Sequence, residues 1–237
     1  MTPGSEVVRG YGHQAKLASA SSQANGLGII LAPLAVEAGG SYATGGWNVA
    51  TDVWGVLDEA QRLPWSFTPF ECVGPLKFGM THDQVRAAVD GVLSIGVSQG
   101  YAGSEVWAEF DLEQRPDARF SGPAVTVYYD QSIGLAGVAV NALRGPQVTL
   151  AEIRLVGQVP SRLEDQFTDY LTVHGKELRY SQSADPCSSH LGLALRVQRA
   201  GDLVLSRPVM VTEAWADRCW DTSEGCIPEK EWKTFEW

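Results

Sequence analysis

The stretch Gly74-Pro-Leu-Lys-Phe-Gly-Met-Thr-His-Asp-Gln-Val-Arg-Ala-Ala-Val-Asp90 decides how the chain is read. It has the order of a strand end, a tight turn and a helix. Thr81 can accept the amide of Gln84 while the Gln84 side chain returns to the Thr81 amide, a reciprocal capping box. Val85, Ala88 and Val89 then share one helical face, and Gly91 supplies the stop.

Upstream, Asn48 to Arg62 has helical spacing. Val53, Val56, Leu57 and Ala60 face one way, with Trp54 and Trp47 widening that face, and Pro64 ends it. Leu63 to Phe70 is then an extended aromatic linker. Residues 1–45 differ from the rest. They hold a small polar stretch, the apolar run Leu27 to Val36, and a glycine-rich passage, and they read as a loosely ordered arm. The run is too short to span a bilayer. Pro33 inside it and Glu37 beside the nearest small-x-small site disfavour a secretory signal. A cytoplasmic protein with no membrane span is expected.

Downstream, Val92 to Val97 is extended, Gln99 to Ser104 is a loop, and Val106 to Phe110 alternates. Gln114 to Asp117 is a turn. Three β-branched, aromatic-rich runs follow, Ala124 to Tyr129, Leu135 to Val140 and Val148 to Leu155, with connections short enough for an antiparallel meander. Ser161-x-x-Glu164 is a second capping box. Leu163, Phe167, Tyr170 and Leu171 form the stripe behind it, and Gly175 is the stop. Leu178 to Tyr180 begins a strand and Ala184 to Ser189 is a loop. Leu191 to Gln198 and Leu203 to Val211 form a hairpin, with Pro208 marking an edge or a bulge. The fold class is therefore α+β: an antiparallel sheet, meander plus hairpin, with two capped helices packed on one face. The spacing of the two caps is that of a diverged duplication within one domain, 46–237, with halves at 66–157 and 158–237.

A formal net charge of −10 over 237 residues argues against nucleic acid, which needs a basic stripe, and suits a basic protein partner. Cys72, Cys187, Cys219 and Cys226 form no Cys-x-x-Cys pair and no histidine stands at ligand spacing, so neither a metal nor another cofactor is expected. No nucleophile elbow or phosphate loop occurs. Glu105 and Glu109 around Trp107, and Cys187 beside His190, are the nearest approach to hydrolase chemistry. The segment from Glu213 onward carries four of the eight tryptophans among many acids. Trp215, Asp217, Trp220, Glu224 and Trp232 are its candidate partner-binding patch.

Gly79-Met80-Thr81-x-x-x-Val85 resembles the Gly-Met-Thr/Ser-x-x-x-Val signature of small helix-plus-sheet modules. These include the BamE/SmpA type of outer-membrane assembly lipoprotein and the β-lactamase inhibitory proteins, which carry two copies of a related unit. The sequence departs from that pattern in lacking a proline after the helix, at Val89-Asp90-Gly91, and a lipobox before Cys72. Gly192-Leu-Ala-Leu-Arg196, Arg207-Pro-Val209 and Ile227-Pro-Glu-Lys-Glu-Trp232 are similar to small bacterial proteins of the toxin-immunity type. The resemblance implies protein binding by an exposed sheet face, without catalysis. The expectation is thus a non-enzymatic immunity or inhibitor protein for a basic partner. The alternatives are a structural component docked through the N-terminal arm, or a hydrolase.

Overall fold

A computed structural model describes residues 54–101, 104–112 and 122–233, all within the compact unit Gly45–Trp237. The N-terminal arm, the first part of the Asn48–Arg62 helix, the Gln114–Asp117 turn and Trp237 lie outside the described residues.

The Thr81 capping box forms as its residues dictate. The Gln84 amide donates to Thr81 Oγ1 at 3.3 Å, and the Thr81 amide donates to Gln84 Oε1 at 2.9 Å. Helix α1 follows over His82–Val89 and buries Val85 and Val89. Ahead of it run β1 (Pro64–Thr68), β2 (Cys72–Val73) and β3 (Leu76–Lys77). After it comes a four-stranded antiparallel meander: β4 (Leu93–Tyr101), β5 (Ser104–Leu112), β6 (Val125–Asp130) and β7 (Gly134–Val140).

The second half repeats this plan. A hairpin of β8 (Gln147–Leu150) and β9 (Ile153–Arg154) leads to helix α2 (Pro160–Val173). A second antiparallel meander follows, made of β10 (Arg179–Tyr180), β11 (Pro186–Ser188), β12 (Leu193–Ala200) and β13 (Leu203–Val211). Two short helices, α3 (Glu213–Ala216) and α4 (Glu229–Lys233), close the described chain.

The repetition extends to single bonds. Gly79 donates its amide to Leu135 on β7, and the Leu135 amide returns to Met80, both at 2.8 Å; Gly157 and Gln158 exchange the same two bonds with Ser206 on β13, both at 2.9 Å. Gly79 and Gly157 both take positive φ, which a glycine adopts without steric cost. Val85 and Val89 stand six and ten residues after Gly79, and Leu163 and Phe167 stand six and ten after Gly157; all four are buried. Matching Leu135 to Ser206 makes Val138 equivalent to Val209 and Ala139 to Met210. The central pairs, Val209 with Ala139 and Met210 with Val138, then exchange with one another. A local two-fold therefore runs between β7 and β13, and the halves fuse into one eight-stranded sheet of order β10-β11-β12-β13-β7-β6-β5-β4.

Both helices pack on one face of that sheet. Val85, Val89, Leu163, Phe167 and Leu171 share a core with Phe110, Val127, Val138, Leu193 and Met210. The same core holds Trp65, Val73, Leu76 and Val148 of a second, five-stranded sheet of order β3-β2-β1-β8-β9.

The structure corrects several local expectations. The third run of the expected meander does not pair with β7. Asn141 Oδ1 accepts the amides of Leu143 and Arg144, and this turn throws the chain off the large sheet. β8 then pairs in parallel with β1, Trp65 opposite Val148, so the aromatic linker is itself a strand. Arg62 fixes the turn by donating to the carbonyls of Ala142, Leu143 and Gly145, and burial pulls its pKa down to about 10. Of the expected Asn48–Arg62 helix, Trp54 is helical, the helix breaks at the turn at Gly55, and Glu59–Gln61 forms a separate 3-10 turn.

The Ser161 capping box does not form. Pro160 has a fixed φ suited to the first helical position, so the helix starts there with Val159 as N-cap, and Ser161 falls inside it. Glu164 instead accepts the Tyr180 hydroxyl at 2.7 Å. Gln99 to Ser104 is not a loop, since β4 runs on to Tyr101 and β5 begins at Ser104. Within Ala184 to Ser189 lies the short strand β11. Pro208 sits in a central strand, not an edge. The β7 ladder stops beside it, at Val209, because proline has no amide to donate.

These two starts make a paired test. Thr81→Ala should cost about 1 kcal/mol, lowering Tm by about 2–4 °C. Ser161→Ala should leave Tm within about 1 °C by calorimetry, since no cap is lost.

Candidate functional site

The large sheet has a second face, and the C-terminal segment lies on it. Arg196 on β12 and Arg207 on β13 are direct cross-strand partners on that face, and both are more than nine-tenths buried. Like charges placed opposite each other repel, and buried ones do so with little screening. Glu231 of α4 answers both. Its carboxylate accepts Arg207 Nε at 2.8 Å and Arg207 Nη2 at 2.5 Å, and its carbonyl accepts Arg196 Nη1. Tyr128 Oη donates to the same carboxylate at 2.5 Å. Burial and the Glu231 charge together hold the Tyr128 phenol well above its ordinary pKa. Asp185 stands 3.5 Å from Arg196 Nε, and the Trp232 ring lies 4.8 Å from the Arg196 guanidinium carbon. Lys230 bridges to Glu109 at 2.7 Å and sits 3.3 Å above the Trp107 ring.

This geometry distributes the five residues of the aromatic-acidic patch. Trp215, Trp220 and Trp232 are half-buried and pack against a core of Tyr128, Ala139, Cys187, Val209 and Ile227. Asp217 and Glu224 are exposed, and Glu224 pairs with Arg218 at 2.7 Å. Two other acids of the segment are buried, Glu231 and Asp221. Asp221 accepts the amides of Ser223 and Glu224, which hold its pKa down at about 2. The middle of the sheet face expected to be open to a partner is therefore covered by the chain's own C-terminal segment.

Cys187 and His190 do not converge, and the Glu105 side chain lies outside the described residues. Cys187 is buried and donates to the Asp185 carbonyl at 3.3 Å; burial raises its pKa. His190 is exposed, and its Nδ1 accepts the Glu177 amide at 3.1 Å. His82 bonds to the Tyr129 hydroxyl at 3.1 Å, and His174 stacks on Tyr170. Among the described residues, no three His, Cys, Asp or Glu side chains stand close enough to hold a metal ion.

A second candidate surface lies at one end of the sheet. Its two edges differ sharply. β10 is two residues long and carries Arg179, which pairs with Glu177 at 2.8 Å. β4 runs nine residues, Leu-Ser-Ile-Gly-Val-Ser-Gln-Gly-Tyr, with no Lys, Arg, Asp, Glu or Pro. Ser94 to Gly100 are all exposed, and among the described residues no strand lies beyond them. Charges and prolines are the usual devices that keep an edge from pairing with another chain, and β4 has neither. Its ladder with β5 is irregular at two places, between Ile95 and Ser98 and between Gln99 and Gly100. Beside it, α1 and β4 enclose a hollow of about 420 Å³, with Phe110, Leu93 and Ile95 below and Asp83, Arg86 and Asp90 along the helix side. Sequence reasoning missed this edge because the glycines of Gln99-Gly-Tyr-Ala-Gly-Ser104 signal a loop. The absence of charge across Leu93–Tyr101 was the signal that could have found it.

No protein-family model, no curated protein and no solved structure matches the chain.

Two measurements check the C-terminal docking. Glu231→Ala should destabilise by about 3–5 kcal/mol, because it takes the carboxylate from buried Arg207 and Tyr128, and it should red-shift tryptophan emission. Adding Arg207→Met should recover much of that loss. With iodoacetamide at about pH 8, exposed Cys226 should label in the native protein. Cys187 and Cys219 should label only on unfolding, since burial lifts the Cys219 thiol to about 11 and raises that of Cys187 further.

Proposed function

We propose that the chain is a non-enzymatic protein-binding module, an inhibitor or immunity-type protein whose partner is basic. The observation that carries this reading is the β4 edge: nine uncharged residues, seven of them exposed in succession, at the end of a sheet whose other edge is short and charged. An unpaired edge of this kind offers a row of main-chain donors and acceptors to an incoming strand. The formal charge of −10 favours approach of a basic partner and makes association sensitive to salt. The paired helix-plus-meander halves agree with the two-copy organisation of the inhibitory proteins that the Gly79-Met80-Thr81 stretch resembles. The half-buried tryptophans of the C-terminal segment contribute to holding it on the sheet, which leaves Asp217 and Glu224 as its outward contribution to any partner surface.

Affinity capture from the native cell extract at low salt tests the reading. Val97 is 59% exposed, so Val97→Lys places a charge on the edge with little effect on folding. A partner retained by the wild type should be reduced about tenfold by Val97→Lys and kept by the double variant Asp217→Asn, Glu224→Gln. The opposite pattern moves the interface to the C-terminal segment, and no retained protein at low salt ends the proposal.

A further inference from the structure

The hollow beside β4 narrows what the partner presents. This rests on β4 being the binding edge. A strand added to a sheet turns alternate side chains to alternate faces. On the helix side of β4 those side chains meet the space between α1 and the sheet. Its floor is apolar, formed by Leu93, Ile95 and Phe110, and Phe110 is fully buried while Ile95 is 42% exposed. Ile95 is thus a hydrophobic side chain half covered by its own protein, with room next to it. The volume of about 420 Å³ is more than ten times the ≈30 Å³ share of one water, a space on the scale of whole side chains. The helix rim carries two carboxylates, Asp83 and Asp90, against one guanidinium, Arg86, and all three are exposed. The first irregularity, between Ile95 and Ser98, separates Leu93–Ile95, which borders the hollow, from the rest of the edge.

We propose that the β4 edge takes an extended segment of a basic protein partner. One apolar side chain of that segment enters the hollow between α1 and β4, and a neighbouring lysine or arginine meets Asp83 and Asp90. Main-chain bonds to Leu93–Ile95 supply the pairing, and the hollow supplies the selectivity. The competing occupant is a second copy, paired β4 to β4. Two chains each of formal charge −10 repel, which disfavours self-pairing.

The probes are short fluorescein-labelled synthetic peptides, read by anisotropy against the full chain at low salt. One alternates valine with lysine. Its isomer carries glutamate in place of lysine, and a third carries serine in place of valine. The valine–lysine peptide should saturate, and both substitutions should weaken it by about tenfold or more. Asp83→Asn with Asp90→Asn should weaken the lysine peptide several-fold and flatten its salt dependence, and should improve the glutamate peptide. Ile95→Lys should abolish binding of all three while the circular dichroism spectrum stays unchanged. Equal binding of the lysine and glutamate peptides overturns the charge selectivity. No binding of the lysine peptide, alongside a captured partner that Val97→Lys loses, overturns the stated chemistry and leaves the edge as the interface. Peptide binding untouched by Ile95→Lys and Val97→Lys overturns the edge itself. Sedimentation showing a dimer that Val97→Lys dissolves assigns β4 to a second copy and overturns the proposal.

Discussion

Two arginines facing each other across adjacent strands set a requirement that the rest of the molecule must meet. Arg196 and Arg207 are buried on one face of a sheet whose opposite face is already committed to the helices. Their charges cannot be left without an anion at that depth. Asp185 faces Arg196, the carboxylate that meets Arg207 comes from α4, and bringing Glu231 there draws Trp232 over Arg196 and Lys230 over Trp107. The C-terminal segment therefore has one place to dock, fixed by an ion pair with directional bonds; apolar contact alone would permit many. The tryptophans add area, and the carboxylate adds register.

This arrangement explains what the sequence could and could not disclose. Local signals read well. The Thr81 cap, the apolar stripes of both helices and the β12–β13 hairpin depend on residues a few positions apart, and each formed. Ser161 misled because a neighbouring proline fixed the helix start first. The passage after β7 misled because its strand pairs with β1, whose partnership no local pattern encodes. Glu231 read as one acid among many exposed ones. What buries it is a pair of arginines on two other strands and a tyrosine on a third, and only the completed sheet brings them together.

The candidate surface follows the same division. The aromatic-acidic patch was visible as composition, and its internal split, with tryptophans inward and Asp217 and Glu224 outward, was not. The β4 edge was hidden by its glycines, although its lack of charge was in plain sight. An edge can be recognised only when the strand order is known, and that order depends on the junction at β7 and β13. Both ends of the sheet would be equivalent under the local two-fold. In this chain one end is short and charged and the other is long and neutral.

The junction at β7 and β13 also bears on how the chain folds. Within each half, every meander pairing joins strands consecutive in sequence, and such contacts close small loops at modest entropic cost. The β7–β13 ladder is different. It joins Gly137–Ala139 to Val209–Val211 across the whole second hairpin, helix and meander, and β1 waits for β8 across the whole first half. Contacts of such long range slow folding because their loops must close before any bond rewards the closure. Each half thus has the means to assemble locally, while the seam between them must close the longest loops in the chain's described sheets.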